Sequence, residues 1–274
     1  MSPVTTSNYN GMIHLLIIDA LNVIRRLYAV QEKHAADPAA ILPALEQAVV
    51  RVTRTVVQEH QPTHAIAVFD SEQPGWRHAL YPDYKGGRTP MPDALRQHLD
   101  ALQDSFARCG LDSLLSTTDE ADDLIATLIQ PVISNQHRVT LISTDKGFCQ
   151  LLAPGLQIRD YFNKRWLDAD FIHQKYGITP AQLVDFWTLT GISGVNIRGV
   201  PQIGEKTAQK LLADWGTLDA MLEAPADPKL KALTLVQQHR EHCQHIRPLI
   251  QLKCDIPLGF NLKDLRLNTQ STAS

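Results

Sequence analysis

The chain has 274 residues, 44% of them apolar and 20% charged, which suits one large domain or a domain with a smaller companion. A net charge of −3 excludes a polyanion binder working through a global field, so any nucleic-acid surface has to be a local patch. Four scattered cysteines without a CxxC pair and the absence of HExxH, Walker and GxSxG motifs exclude a zinc site, ATP use and a serine hydrolase.

Residues 1–11, MSPVTTSNYNG, lack the basic start and apolar stretch of a secretory signal and read as a disordered tail. The apolar run after them is far too short to span a bilayer, so a cytoplasmic protein with reduced thiols and no membrane contact is expected. Three short apolar runs, Met12–Ile18, His64–Phe69 and Arg138–Ile142, read as strands, with helical stretches between them. Ile41, Leu45, Ala48, Val49, Val52 and Val56 give Pro38–Glu59 a helical stripe. Asp119–Gln130 reads as a helix capped by Asp119, acidic in its first turn and closed by Pro131. This alternation predicts an α/β fold with a mostly parallel central sheet flanked by helices, over residues 12–175. From 176 to 267 the texture turns helical, with a Thr-Pro start at 179–180, a Gly191 stop and a second helix over Glu205–Trp215. Residues 268–274 read as a second disordered tail.

The informative feature is where the apolar runs stop. LLIID ends on Asp19, AVFD ends on Asp70, and TLISTD reaches Asp145. In an open parallel sheet, ligands bind outside the carboxyl ends of the strands. Glu120, Asp122 and Asp123 add three acids at a helix start, Glu120 and Asp123 sharing a face. One such Asp is ordinarily a cap or turn residue, but six carboxylates at one edge repel each other unless a cation is present. Mg²⁺ suits an all-oxygen site that keeps several waters and a substrate phosphate. Aromatic and basic residues alternate in WRHALYPDYKGGR (Trp76, Arg77, His78, Tyr81, Tyr84, Lys85, Arg88), a composition suited to single-stranded nucleic acid. The basic NKRW at 163–166 has two readings, a DNA contact or a solvated run, of which solvation is favoured.

These residues resemble the 5′-nuclease, or flap endonuclease, family. The match rests on Asp19 and Asp70, EADD at 120–123, STDKG at 143–147, PDYKGGR at 82–88 and GVPQIGEKTAQKLL at 199–212, in order, across Met12 to about Leu267. LLIIDALNVIRR, GWRH and IRDYFNKRWLD look like the bacterial exonuclease IX-like (Xni) branch. The resemblance implies a Mg²⁺-dependent, structure-specific 5′ flap endonuclease of branched DNA, with Mn²⁺ able to substitute, acting in replication or repair as a monomer. It assigns Mg²⁺ to Asp122, Asp145, Glu120 and Asp123, with Asp19 and Asp70 beside them, and the scissile phosphate to Lys85 and Arg88. It implies an arch over residues 76–100 and a helix–three-turn–helix that grips duplex DNA. That element would hold K⁺ on the main-chain carbonyls of Leu189, Thr190, Arg198, Val200 and Ile203. DNA would be met by Gln202, Ile203, Gly204, Glu205, Lys206 and Thr207, and by Tyr84.

The chain departs from the wider family where that family has STDKD and GDSSDNIPGV. Here Gly147, Ile192 and Val195 stand in place of three acids that help hold a second metal ion. One firm Mg²⁺ with a weak or substrate-assisted neighbour is the expectation. Gln202 replaces a usual Gly and Arg198 a usual Pro. Two rival functions carry different signatures: a branched-DNA-binding protein with attenuated cleavage, and an acidic-site RNase.

Overall fold

The computed structural model describes residues 11–267 except Glu72, so the two expected tails lie outside the described residues apart from Gly11. The chain runs β1 (His14–Asp19), α1 (Ala20–His34), α2 (Ile41–His60), β2 (His64–Val68), α3 (Trp76–Leu80), α4 (Asp93–Gln97), α5 (Leu99–Ala107), β3 (Asp112–Leu114), α6 (Ala121–Ser134), β4 (Arg138–Ile142), β5 (Leu156–Asp160) and β6 (Arg165–Trp166). It continues through α7 (Ala169–Tyr176), α8 (Leu183–Thr190), a two-stranded hairpin of β7 (Gly191–Ile192) and β8 (Ile197–Arg198), α9 (Glu205–Trp215), α10 (Leu218–Glu223), α11 (Lys231–Gln238) and α12 (Arg240–Ile250).

The sheet order is β3-β2-β1-β4-β5-β6, parallel except for the antiparallel edge strand β6. The three predicted strands are its centre. They are near-continuous apolar runs because both faces are covered. In β1, Leu15 and Ile17 face the core built on α6, while Leu16 and Ile18 face the core under α1, α2 and α5. β1 pairs with β2 on one side and β4 on the other, so the chain reverses its winding direction at β1. Such a switch point opens a crevice at the carboxyl ends of the two diverging strands. Asp19 ends β1 there, and Asp145 follows β4.

The helical region is no separate lobe. Phe148, Cys149 and Leu151 beside β4 share one continuous core with Leu183, Phe186 and Leu189 of α8 and Leu211 and Leu212 of α9. Among the described residues no helix is long and apolar enough to cross a membrane.

Local corrections are informative. Pro131 does not close the sixth helix but lies inside it, because buried Val132 and half-buried Ile133 carry the apolar stripe past it and the helix runs on to Ser134. The helix begins after Glu120. Asp119 instead accepts hydrogen bonds from the Ser116 and Thr118 hydroxyls at 2.9 and 3.1 Å. The mostly helical C-terminal third also carries the small β7–β8 hairpin, which gave no strand signal in the sequence. Of the exposed NKRW stretch, Asn163 and Lys164 lie in the turn after β5 while Arg165 and Trp166 form β6, and Arg165 pairs with Asp160 at 3.1 Å.

Candidate active-site cleft

Three strand ends deliver acids to the crevice, and local hydrogen bonds aim them. Ser143 donates to Asp19 at 2.7 Å, and its hydroxyl accepts from the Asp145 amide at 3.0 Å. Asp145 accepts the Gly147 amide at 2.7 Å. Asp70 accepts the Ala121 amide at 2.9 Å, using its charge at the start of α6. Asp122, in that helix's first turn, lines a cleft of about 510 Å³ together with Asp145, Lys146 and Gly147.

The acids feel one another. Burial first, and then the charges of Asp145 and Asp70, push Asp19 up to about 7, against the pull of the Ser143 hydrogen bond. Burial, then Asp145, Asp19 and Asp70, push Asp122 well above the usual carboxylate range, and Lys85 pulls the other way. Raised values of this kind mark carboxylates short of a compensating cation.

The structure divides the six expected acids into two groups. Asp123 is fully buried, with both oxygens taken by Arg77 at 2.7 and 2.8 Å. The Trp76 indole N–H at 2.9 Å and the Lys253 amide at 3.0 Å complete its shell. Glu120 bridges Arg77 and Lys85, the latter at 2.6 Å. These two acids therefore hold cations of the protein, and of the three acids at this helix start Asp122 is the one that lines the cleft with Asp145. Neighbours on one helix, Asp122 and Asp123 point about 100° apart, and only one can face the cleft. Asp19, Asp122 and Asp145, with Asp70 near them, form the group that faces inward.

Among the described residues no three His, Cys, Asp or Glu side chains gather closely enough to enclose a metal ion by themselves. The inward acids still fit Mg²⁺. Their donor set is all oxygen, and an incomplete protein shell is what an ion that keeps its waters and takes a phosphate requires.

Two basic side chains stand beside them. Burial works against the Lys85 charge, but Tyr84, Asp70, Glu120 and Asp122 together outweigh it and hold the ammonium above its ordinary range. Arg88 lines the cleft and donates to the Gly194 carbonyl at 3.0 Å. Sequence reasoning missed a third cation. Arg26 of α1 lines the same cleft, donating to Thr144 at 3.2 Å with its guanidinium 5.6 Å from the Phe162 ring centre. Asn22 accepts from the same Thr144. The signal was available: Asn22 and Arg26 are four apart and share a helix face.

The aromatic-basic stretch splits as well. Tyr84 is buried, packed with Ile197, Ile246 and Leu249, and its hydroxyl lies 3.4 Å from Glu120. The ring is packed into the protein and still contributes to the lining of the cleft. Arg77 is likewise buried and Trp76 half-buried, the Trp76 ring carrying Arg77 at 4.4 Å and Lys253 at 3.9 Å. The places of the three absent acids, Gly147, Ile192 and Val195, all line the same cleft as Asp122 and Asp145.

The loop between α8 and α9 doubles back tightly. A Cβ on Gly199 would sit 2.4 Å from the Gly191 amide and the Leu189 carbonyl, so only glycine fits. Gln202 stands at φ 66°, the left-handed conformation that the usual glycine would adopt freely. Leu189 O accepts from Val200 N at 2.9 Å, Val200 O from Ile203 N at 3.1 Å, and Arg198 O lies 2.9 Å from His242 Nε2. Each of these carbonyls keeps a second lone pair for another partner. Gly204 starts α9, with Glu205, Lys206 and Thr207 in its first turn.

Comparison with known proteins agrees along the whole length. The model of the 5′-3′ exonuclease N-terminal resolvase-like domain matches residues 14–177, and that of the 5′-3′ exonuclease C-terminal SAM fold matches 178–273. A protein of Tolumonas auensis named flap endonuclease Xni is 65% identical over 256 residues, 93% of this chain and 98% of that protein. Its namesake in Vibrio cholerae is 49% identical, over 94% of this chain and 98% of that one. The T5 D15 protein co-crystallised with metal ions has the same fold, with a TM-score of 0.72 at 20% identity over 86% of this chain and 89% of that one. Human GEN1 in complex with Holliday junction DNA superposes with a TM-score of 0.56 at 15% identity, over 94% of this chain and 64% of that one. Acids at the switch point, a helical region sharing their core and two family models that meet at residue 178 leave one assignment: the chain belongs to the 5′-3′ exonuclease family, among the Xni flap endonucleases.

Proposed function

We propose that the protein is a Mg²⁺-dependent, structure-specific endonuclease that cuts 5′ flaps on branched DNA, as a cytoplasmic monomer in replication or repair. The observation that carries the reading is Asp122 and Asp145 in one cleft with basic side chains, beside buried Asp19, a group whose mutual repulsion calls for a hard cation. Mg²⁺, or Mn²⁺ in its place, would polarise the phosphoryl oxygens and lower the pKa of the attacking water. Asp122 and Asp145 would hold it directly, and Asp19 and Asp70 through water.

The chain's own groups supply the rest. Lys85 stays protonated, so it contributes charge and not a proton acceptor, and Arg88 adds a second positive group for the scissile phosphate. Glu120 fixes the Lys85 ammonium from below. Residues 76–100 would form the arch beside the 5′ strand. At α9, the free amides behind Gly204 and the Lys206 charge suit a duplex phosphate, independent of sequence. The carbonyls of Leu189, Thr190, Arg198, Val200 and Ile203 would hold K⁺ against that phosphate.

A labelled 5′-flap DNA with Mg²⁺ tests the reading. Asp122→Ala should cut about 10²- to 10³-fold more slowly while binding the flap normally. Pure wild-type protein that binds and does not cut would establish the rival DNA-binding function. Preferential cutting of RNA would establish the other rival.

The apolar replacements predict a single firmly held ion. Restoring the acids with Gly147→Asp, Ile192→Asp and Val195→Asp together should lower the Mg²⁺ concentration for half-maximal rate by about 10- to 100-fold. A Cβ at 147 would lie 3.1 Å from Asp145 Oδ1, so the new carboxylate lands beside the existing group. An unchanged Mg²⁺ requirement would count against the one-ion reading.

A further inference from the structure

Three hydrogen bonds join residues 82–88 to residues 193–196. The Lys85 amide donates to Val195 O at 2.8 Å, the Asn196 side-chain amide to Asp83 O at 3.0 Å, and Arg88 Nε to Gly194 O at 3.0 Å. The Asn196 atom facing Asp83 has to be Nδ2, because a carbonyl only accepts. Asp83 O also accepts the Gly86 amide at 2.9 Å, so both its lone pairs are used. A Cβ at 86 would lie 2.8 Å from that oxygen and 3.4 Å from Asn196 Nδ2, so the glycine leaves room for both bonds. Lys85 and Asn196 both stand in the left-handed region, at φ 56° and 57°. Asparagine adopts it readily, whereas a lysine there is held by its surroundings.

We infer that Asn196 is a positioning residue for Lys85: its side-chain amide fixes the turn at 83–86 that keeps Lys85 left-handed and its ammonium aimed at the acids. This rests on the nuclease reading and names the group that holds one cation of that site in place. Lys85 is then held at both ends. Its Nζ meets Glu120 at 2.6 Å and lies within electrostatic reach of Asp70 and Asp122. Glu120 acts on the far end of a flexible side chain and leaves the backbone free to relax. A right-handed Lys85 would send its side chain in another direction, because the Cβ leaves the chain at a different angle once φ and ψ change. Holding the backbone takes contacts on residues 83–86 themselves, and Asn196 and Val195 O supply them. A displacement of about 1 Å is enough to cost a large factor in rate. The stretch with Ile192 and Val195 in place of acids thereby serves the cleft through Asn196 and its own carbonyls.

Asn196→Gly removes the side-chain amide and keeps the backbone, because glycine takes φ 57° freely. Single-turnover cleavage of a 5′-flap DNA with Mg²⁺ should slow about 5- to 100-fold, with flap affinity in the absence of divalent metal changed by less than about twofold. In a Lys85→Ala background the same change should cost less than about twofold, because the group it places is gone. Cleavage by Asn196→Gly at the wild-type rate would overturn the inference, and so would the full factor persisting without Lys85. A readout independent of cleavage separates this from the nuclease reading. Hydrogen exchange of the Lys85 amide, which is donated to Val195 O, should be about 3- to 10-fold faster in Asn196→Gly than in wild type. If wild type cuts no flap at all, the nuclease reading fails instead, whereas equal exchange in the two proteins overturns the role of Asn196.

Discussion

Replacing Arg77 with methionine should lower the free energy of unfolding by about 3–5 kcal/mol, because it leaves buried charges without their partner. Arg77 is 2% exposed and uses its whole donor fork. It grips Asp123 through two parallel bonds, pairs with Glu120, and donates to the carbonyls of Leu249 at 2.8 Å and Gln251 at 3.1 Å. Methionine fills comparable apolar volume but offers no donor, so two carboxylates and two carbonyls lose a partner together. For a chain of this size the melting temperature should fall by about 10 °C. Adding Glu120→Gln and Asp123→Asn should recover a large part of the loss, since removing both sides of a buried ion pair costs less than removing one. A loss below about 1 kcal/mol in thermal or urea unfolding would show that water replaces the guanidinium.

The same residue links structure to chemistry. Glu120 receives Arg77 on one oxygen and Lys85 on the other. The strap after α12 is fastened to the same spot, through Arg77, the Lys253 amide on Asp123, and Gln150, which accepts the Leu252 amide at 2.9 Å and donates to Ile250 O. One guanidinium thus contributes both to the placement of Lys85 and to the fastening of the strap after α12.

How far the sequence reveals this site follows from how local each cause is. The strands β1, β2 and β4 were legible because burial on both faces writes itself into consecutive apolar residues, and each run stops at an acid. The helix after Gly204 was legible from a glycine start and its stripe. The roles of Asp122 and Asp123 were not, because adjacent positions on α6 are told apart only by where Arg77 lies, 46 residues earlier in the chain. Arg77 and Tyr84 look like solvent-facing residues of a binding loop. Their burial depends on acceptors and packing partners from residues 246–251, which no local pattern announces. The β7–β8 hairpin escaped notice because strands of two residues are too short to show alternation.

In the metal-free protein Asp19 should contribute stability that is lost as pH rises from about 4 to 7, and Mg²⁺ should restore it near pH 8. The sign follows from Asp19, which burial and the charges of Asp145 and Asp70 raise from 3.8 to about 7 in the folded chain. A raised folded value means the native state binds a proton that the unfolded chain has already released. The stabilisation is complete below the unfolded value and is lost as pH climbs through the folded one. Its full size for a rise of this extent is on the order of 4 kcal/mol, shared with the neighbouring acids that cause it. Asp19→Asn should flatten the slope of melting temperature against pH over this window. Stabilisation by Mg²⁺ should be small near pH 5 and large near pH 8, because a protonated carboxyl has to release its proton before it can act as a ligand. A slope of melting temperature against pH between 4 and 7 that Asp19→Asn leaves unaltered would mean that water screens these acids from one another. The cation would then bind by attraction to an open surface instead of by relieving repulsion in a prepared cleft.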